Sequence, residues 1–334
     1  MTLIVGSKRC HSVRIFLLWA ALSFSSGIGA YSQSLPQQPP SGSAAGPPAI
    51  SVTSELVVLP VSVTDGNGNF VSGLSLPNFR VYEDGRLQTV TSFQQEDTPV
   101  TVGLIVDHSR SMGPKLLDVA AAVYAFARSS NHRDEMFVVD FNDDVSVEPP
   151  GGDPFTSDPE VLERAISAVS AHGRTALYDA VAEGLQHLQL GHLDKRALVI
   201  VSDGGDNASG YKYSQVLELA RRYQVTIYAI GLIDSNEEEN PNALRRLSRA
   251  TGGITYFPGP EANVTDISKR IARDLREQYT LGFAPEKTNL AHPFRKIEVK
   301  VTDHGHGKLR VRTRPGYLGT EPNQSLAPSA RNAS

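Results

Sequence analysis
Four short apolar runs constrain this chain more than any other feature: residues 102–106, 136–141, 197–201 and 225–230. Each is too short for a typical helix, and none alternates apolar with polar. Strands of that kind are buried on both faces, which requires a parallel sheet covered by helices. Helical stripes lie between the runs. Pro114 suits a first helical turn, and Leu116, Leu117, Ala120, Tyr124 and Ala127 follow it at helical spacing. Further stripes are Val161, Ala165, Ile166 and Val169; Ala176, Ala180, Leu185 and Leu188; and Val216, Leu219 and Ala220. Leu244, Leu247 and Ala250 precede Gly252 and Gly253, a natural helix stop. Ile267, Ile271 and Leu275 close the series. Strand and helix therefore alternate, which predicts a doubly wound α/β fold with a mostly parallel sheet over residues 99–278.

The flanks read differently. In residues 50–98, Leu59, Val61 and Val63 alternate before the turn cluster 65–68, and Phe79, Val81 and Tyr82 precede a second turn at 83–85. In residues 279–318, Ile297, Val299 and Val301 alternate, the Gly/His stretch 304–307 turns, and Leu309, Val311 and Thr313 alternate back as a hairpin. Together these segments predict an antiparallel β-sandwich interrupted by the α/β region.

The ends carry little that can pack. Lys8, Arg9 and Arg14 precede an apolar stretch opening at residues 15–22, with small residues around Ala30 and Ser32. This pattern predicts an export signal over residues 1–32, short for a membrane span. Residues 33–49, rich in Pro, Gln, Ser and Gly, read as a linker, and residues 319–334 as a tail. The one cysteine, Cys10, falls inside the signal, so the exported chain would hold no disulfide. A net charge of −4 without a basic run argues against nucleic acid as a partner. With the signal removed, no membrane span is expected.

The first apolar run ends in Asp107-His108-Ser109-Arg110-Ser111. A carboxylate and two hydroxyls at alternating positions are hard oxygen donors of the kind Mg²⁺ takes. In open α/β sheets, ligands bind beyond the carboxyl ends of the strands. The third run ends in Ser202-Asp203-Gly204-Gly205-Asp206, which brings Asp203 to the same edge, and Thr175 stands at a loop–helix junction between them. Asp107, Ser109, Ser111, Thr175 and Asp203 thus form the candidate metal site. A helix N-cap would explain the first loop alone; it would not explain Thr175 and Asp203.

At these residues the chain resembles the von Willebrand factor type A domain family. The resemblance rests on Asp107-His108-Ser109-Arg110-Ser111-Met112, Gly173-Arg174-Thr175-Ala176-Leu177 and Val201-Ser202-Asp203-Gly204. The flanking segments 61–66, 81–85, 294–299 and 314–317 look like exported, von Willebrand A-related proteins of acidobacteria. The resemblance implies a metal-ion-dependent adhesion site holding Mg²⁺ (or Mn²⁺ or Ca²⁺) on those five residues. It also implies a binding module, not an enzyme, that engages an exposed Asp or Glu of a protein partner. Arg110 departs from the glycine frequent in the family. A metal-dependent hydrolase on the same edge and an envelope protein without an active metal site are the alternatives. The expected location is periplasmic, cell-surface or secreted.

Other residues have plainer expectations. His108 reads as an exposed loop histidine, since sequence adjacency to Asp107 and Ser109 does not make a triad. Asp206 reads as solvated and Asp179 as structural. The run Glu237-Glu238-Glu239 reads as a solvated charge cluster at the same edge.

Overall fold
The structure is a computed structural model that describes residues 56–95, 97–148, 153–167, 170–234, 239–259, 262–285, 293–303 and 305–319. The signal, the linker, nearly all of the tail, Val169, Glu237, Glu238 and His304 lie outside the described residues.

The apolar runs form four parallel strands: β5 (Thr101–Asp107), β6 (Glu135–Phe141), β8 (Arg196–Ser202) and β9 (Thr226–Gly231). Two short edges complete a sheet of six, β7 (Val145–Glu148) antiparallel to β6 and β10 (Thr255–Tyr256) parallel to β9. Its order is β10-β9-β8-β5-β6-β7. Even-numbered residues of β5 (Val102, Leu104, Val106) pack with α1 (Leu116–Ser129), α2 (Pro159–Ser167) and α6 (Val264–Glu277). Ile105 packs on the opposite face, with α3 (Leu177–His187), α4 (Tyr213–Arg222) and α5 (Pro241–Thr251). Burial on both faces is what a non-alternating run requires, and each fully buried large aliphatic side chain contributes about 1.5–3 kcal/mol. Gly103 is needed in β5 because a Cβ there would collide with the Phe137 ring and Leu198.

Helix α1 is phased differently from the sequence expectation. Pro114 sits in a 3₁₀ turn, Arg110–Lys115, and the α-helix begins at Leu116. The buried face is Val119, Ala122, Val123 and Phe126, while Leu117 is 87% exposed. Sheet and α6 are both covered by the Val119 stripe, and the larger Leu117 side chain did not outweigh it.

The flanks build two antiparallel four-stranded sheets. One has the order β13-β1-β11-β4, from β13 (Arg310–Arg312), β1 (Val57–Thr64), β11 (Tyr279–Phe283) and β4 (Val90–Gln94). The other has the order β14-β12-β2-β3, from β14 (Gly316–Leu318), β12 (Phe294–Val301), β2 (Phe79–Glu83) and β3 (Arg86–Gln88). They share one apolar core that includes Leu59, Val61, Phe79, Val81, Tyr279, Leu281 and Val299. Each sheet mixes strands from before and after the α/β region, as expected. The expected hairpin does not form: β12 pairs with β2 and β13 pairs with β1, so the chain crosses between sheets after residue 303. Both strands alternate because each covers the shared core from its own side.

A buried polar cluster joins the sandwich to the α/β layers. Asp274 of α6 is 1% exposed. Its carboxylate accepts from the Ser62 hydroxyl at 2.7 Å, the Tyr228 hydroxyl at 2.8 Å, and the Arg312 guanidinium. Gln278 donates to Tyr228 and Ser62 at 2.9 and 3.2 Å. Removing one member of such a buried pair strands the others at a cost of about 3–5 kcal/mol. Asp274→Ala is therefore expected to lower unfolding free energy by about that amount in urea titration; a loss below about 1 kcal/mol would show that the cluster does not join the layers.

Candidate functional site
Strands β5 and β8 are neighbours in parallel register, Val106 opposite Val201, so both end at one edge. The chain turns polar at Asp107 and Ser202, the last residues of the two strands. Asp107 is 0% and Asp203 1% exposed. The Asp107 carboxylate accepts from the Ser109 backbone N–H at 2.9 Å and the Ser202 hydroxyl at 2.6 Å. The Asp203 carboxylate accepts from the Ser111 hydroxyl at 2.6 Å and the Gly205 N–H at 3.0 Å. Ser109 and Ser111 hydroxyls lie 3.2 Å apart. Four of the five expected residues are thus joined in one chain of contacts.

Thr175 is not joined to the other four by a hydrogen bond among the described residues; its backbone is tied to the loop that follows Asp203. Its N–H donates to the Asn207 side-chain oxygen at 2.9 Å, and its carbonyl accepts from Asn207 and Ala208 at 2.9 and 3.0 Å. The preceding residues bind the first loop: His172 donates to the His108 carbonyl at 3.0 Å, and Arg110 to the Gly173 carbonyl at 3.4 Å. Thr175 is 5% exposed, and its hydroxyl makes no hydrogen bond among the described residues. It sits one residue before the Ala176 cap of α3 and does not itself cap that helix.

Two glycines make these loops possible. Gly204 has φ +82°, and a Cβ there would strike the Asn240 carbonyl, whose own N–H donates to the Asp203 carbonyl at 3.2 Å. Gly173 has φ +75° and lies against Asp143, whose carboxylate takes the Arg174 N–H. Both positions favour a residue without a side chain.

Several neighbours correct the sequence reading. His108 is 2% exposed, with its imidazole against the Asp140 carboxylate; β6 covers it, so it is no surface loop residue. Asp206 is half-buried and engaged, accepting from the Tyr178 N–H at the start of α3 and from the Ser209 hydroxyl. Glu239 is held too: Lys115, itself buried, contacts it at 3.2 Å and donates to the Leu232 carbonyl at 2.7 Å. Asp179 is structural as expected, accepting from the Gly210 and Tyr211 N–H groups. Sequence reasoning passed over Ser202 and Asn207. Ser202 stood inside the quoted motif, directly before Asp203, and was a detectable candidate.

The electrostatics are unusual. Neither Asp107 nor Asp203 pairs with a Lys, Arg or His among the described residues. Burial pushes the Asp107 carboxyl up to about 6; hydrogen bonds from Ser109 and Ser202 oppose this, and the nearby Asp203 charge adds to it. Buried charges in proteins are normally paired or bound to metal. The donor set here is two carboxylates and three hydroxyls, all oxygen, which fits a hard divalent cation. No cluster of three or more His, Cys, Asp or Glu suited to a metal occurs among the described residues, so a cation held here would depend on the hydroxyls.

The raised Asp107 value has a signed consequence. Without a cation, the folded state binds the Asp107 proton more tightly than the unfolded state, so stability falls as pH rises through about 4 to 6. The difference is worth about 3 kcal/mol above that window. Asp107→Asn abolishes it, whereas Asp134, also pushed up to about 6, is common to both proteins. Urea titrations in EDTA are expected to show the variant gaining on wild type by about 2–3 kcal/mol between pH 4 and pH 7. Parallel pH profiles would contradict the assignment.

The chain is similar to several known proteins. An uncharacterized protein of Borreliella burgdorferi is 25% identical over 226 residues, covering 59% of this chain. The chain spans 60% of the length of that curated relative. Solved structures include a von Willebrand factor type A protein from Catenulispora acidiphila, 14% identical, TM-score 0.48, covering 81% of this chain and 75% of that one. Another is the vWF domain of the type V pili tip protein Mfa5 from Porphyromonas gingivalis, 13% identical, TM-score 0.45, covering 57% and 99%. A family profile described as von Willebrand factor type A domain matches residues 102–270, just over half of the 334 residues. The chain belongs to the von Willebrand factor type A domain family.

Proposed function
We propose that this protein is an exported binding module, not an enzyme, which uses a divalent cation at the β5–β8 edge to engage an acidic side chain of a protein partner. The observation that carries the reading is the pair of buried carboxylates, Asp107 and Asp203, with no cationic side chain against either among the described residues. Asp107, Ser109, Ser111, Thr175 and Asp203 would hold the cation, Mg²⁺ first and Mn²⁺ or Ca²⁺ as substitutes. Once bound, the cation would supply a Lewis-acidic position for a carboxylate oxygen.

The chain's own residues do the rest. Ser202 and the Ser109 N–H fix the Asp107 carboxylate, and Gly205 fixes that of Asp203, so two negative charges are held in place before any cation arrives. The Ser111 hydroxyl bridges towards Asp203 and Ser109, and the Thr175 hydroxyl has no hydrogen bond among the described residues. Two carboxylates roughly balance a divalent charge, and neutral hydroxyls add none; with one Asp acting only through water, the cation would keep net positive character and attract an anion at an open position. His108 is turned into the Asp140 contact, away from a general-base role. Export is supported by the charged and apolar pattern of residues 1–32. Among the described residues no helix is long and apolar enough to cross a membrane.

A ligand that binds only the folded state stabilises it by about 2.7 kcal/mol at a hundredfold excess over Kd. Millimolar Mg²⁺ or Mn²⁺ is expected to raise the thermal midpoint of the wild type and not that of Asp203→Ala, with matching heats in titration calorimetry. Equal behaviour of the two proteins would end the proposal. Turnover of ester or phosphate substrates that requires metal and Asp107 would replace it with a hydrolase.

A further inference from the structure
Two exposed arginines stand in the loops of the candidate site. Arg110 lies between Ser109 and Ser111, and Arg174 directly precedes Thr175. The Arg110 N–H donates to the Gly173 carbonyl, so the two residues belong to adjoining segments. Neither guanidinium forms an ion pair among the described residues; Arg174 makes one long contact, 3.5 Å, to the Asn207 carbonyl. Three acids of this edge are engaged by other groups. Asp143 takes the Arg174 backbone N–H, Asp179 takes the Gly210 and Tyr211 N–H groups, and Asp206 takes Ser209 and Tyr178. Asp144 is exposed on the same turn as Asp143. The chain carries a net charge of −4, so two exposed arginines on adjoining loops, without an ion pair among the described residues, are not a by-product of general basicity.

We propose that Arg110 and Arg174 read a second acidic group on the partner, so that the site takes a protein segment carrying at least two neighbouring carboxylates. The inference rests on the cation-dependent reading above. Asp107 and Asp203 already neutralise a divalent cation, so the first partner carboxylate leaves the assembly negative. A second carboxylate would be repelled unless local positive charge offset it. Guanidinium groups match carboxylates in a two-pronged geometry, which a lone metal position cannot offer to a second group. Because both arginines are exposed, their contribution depends on ionic strength. A side chain such as Arg110 in place of glycine then narrows the choice of partner.

The test uses fluorescence anisotropy of labelled Gly/Ser peptides carrying one glutamate, two adjacent glutamates or one phosphoserine, with Mg²⁺ and full-length protein. The two-glutamate peptide is expected to bind about tenfold more tightly than the one-glutamate peptide at low salt. Arg110→Gln combined with Arg174→Gln is expected to bring the two affinities within about twofold, as is high salt. EDTA should abolish binding of both peptides. Binding that survives EDTA, or no Mg²⁺-dependent binding at all, overturns the underlying reading and this proposal with it. Binding that EDTA abolishes but whose two-glutamate preference survives the double substitution overturns this proposal alone. A phosphoserine peptide that outbinds the two-glutamate peptide overturns the choice of a carboxylate segment.

Discussion
Two buried carboxylates, without a counter-ion among the described residues and on the ends of adjacent parallel strands, are the constraint around which the loops of this edge are arranged. The sheet buries both faces, so polarity is confined to its edges. At the edge formed by β5 and β8, Ser202, Ser109, Ser111 and Gly205 spend their donors on Asp107 and Asp203. None of those donors carries a charge. Hydrogen bonds alone offset only part of the cost of holding such charge away from water, which is why burial dominates the Asp107 carboxyl and lifts it to about 6.

The same chain solves the same problem differently elsewhere. Asp274 is equally buried, and there Arg312, Tyr228 and Ser62 converge on it from three elements. That cluster fastens α6 to the sandwich strands β1 and β13. Lys195 is another buried charge with nearby acids: it donates to the Leu275 carbonyl, and although burial lowers it to about 8, Asp274, Asp134 and Asp97 support its charge. At these two places the protein supplies the partners itself, whereas Asp134, also buried, is held by backbone N–H groups and is likewise pushed up to about 6. Asp107 and Asp203 differ in standing side by side with no cationic side chain against either among the described residues, which is the reason to look for a cation from solution.

Much of this was legible in the primary structure, and the failures have physical causes. Residues 102–106 or 197–201 read correctly as doubly buried strands because no alternation was possible. Asp107, Ser109, Ser111 and Asp203 read correctly as neighbours because parallel strands must end at a common edge. The α1 face was misphased because Leu117 outranks Val119 in hydrophobic size, yet only the latter faces the sheet. The hairpin at 297–313 failed because alternation fixes a strand's faces and says nothing of its partner, and β12 and β13 found partners in opposite sheets. His108 and Glu239 were placed at the surface because their partners, Asp140 and Lys115, come from distant positions in the sequence. Pairings of that kind depend on the fold and leave no local pattern.

Whether the buried pair at the β5–β8 edge holds a divalent cation is decided by anomalous diffraction from crystals equilibrated with Mn²⁺. One strong peak is expected about 2–2.5 Å from the hydroxyl or carboxylate oxygens of Ser109, Ser111 and at least one of Asp107 and Asp203, lost in Asp203→Ala. An empty edge at millimolar Mn²⁺, or a peak unaffected by that substitution, would contradict it.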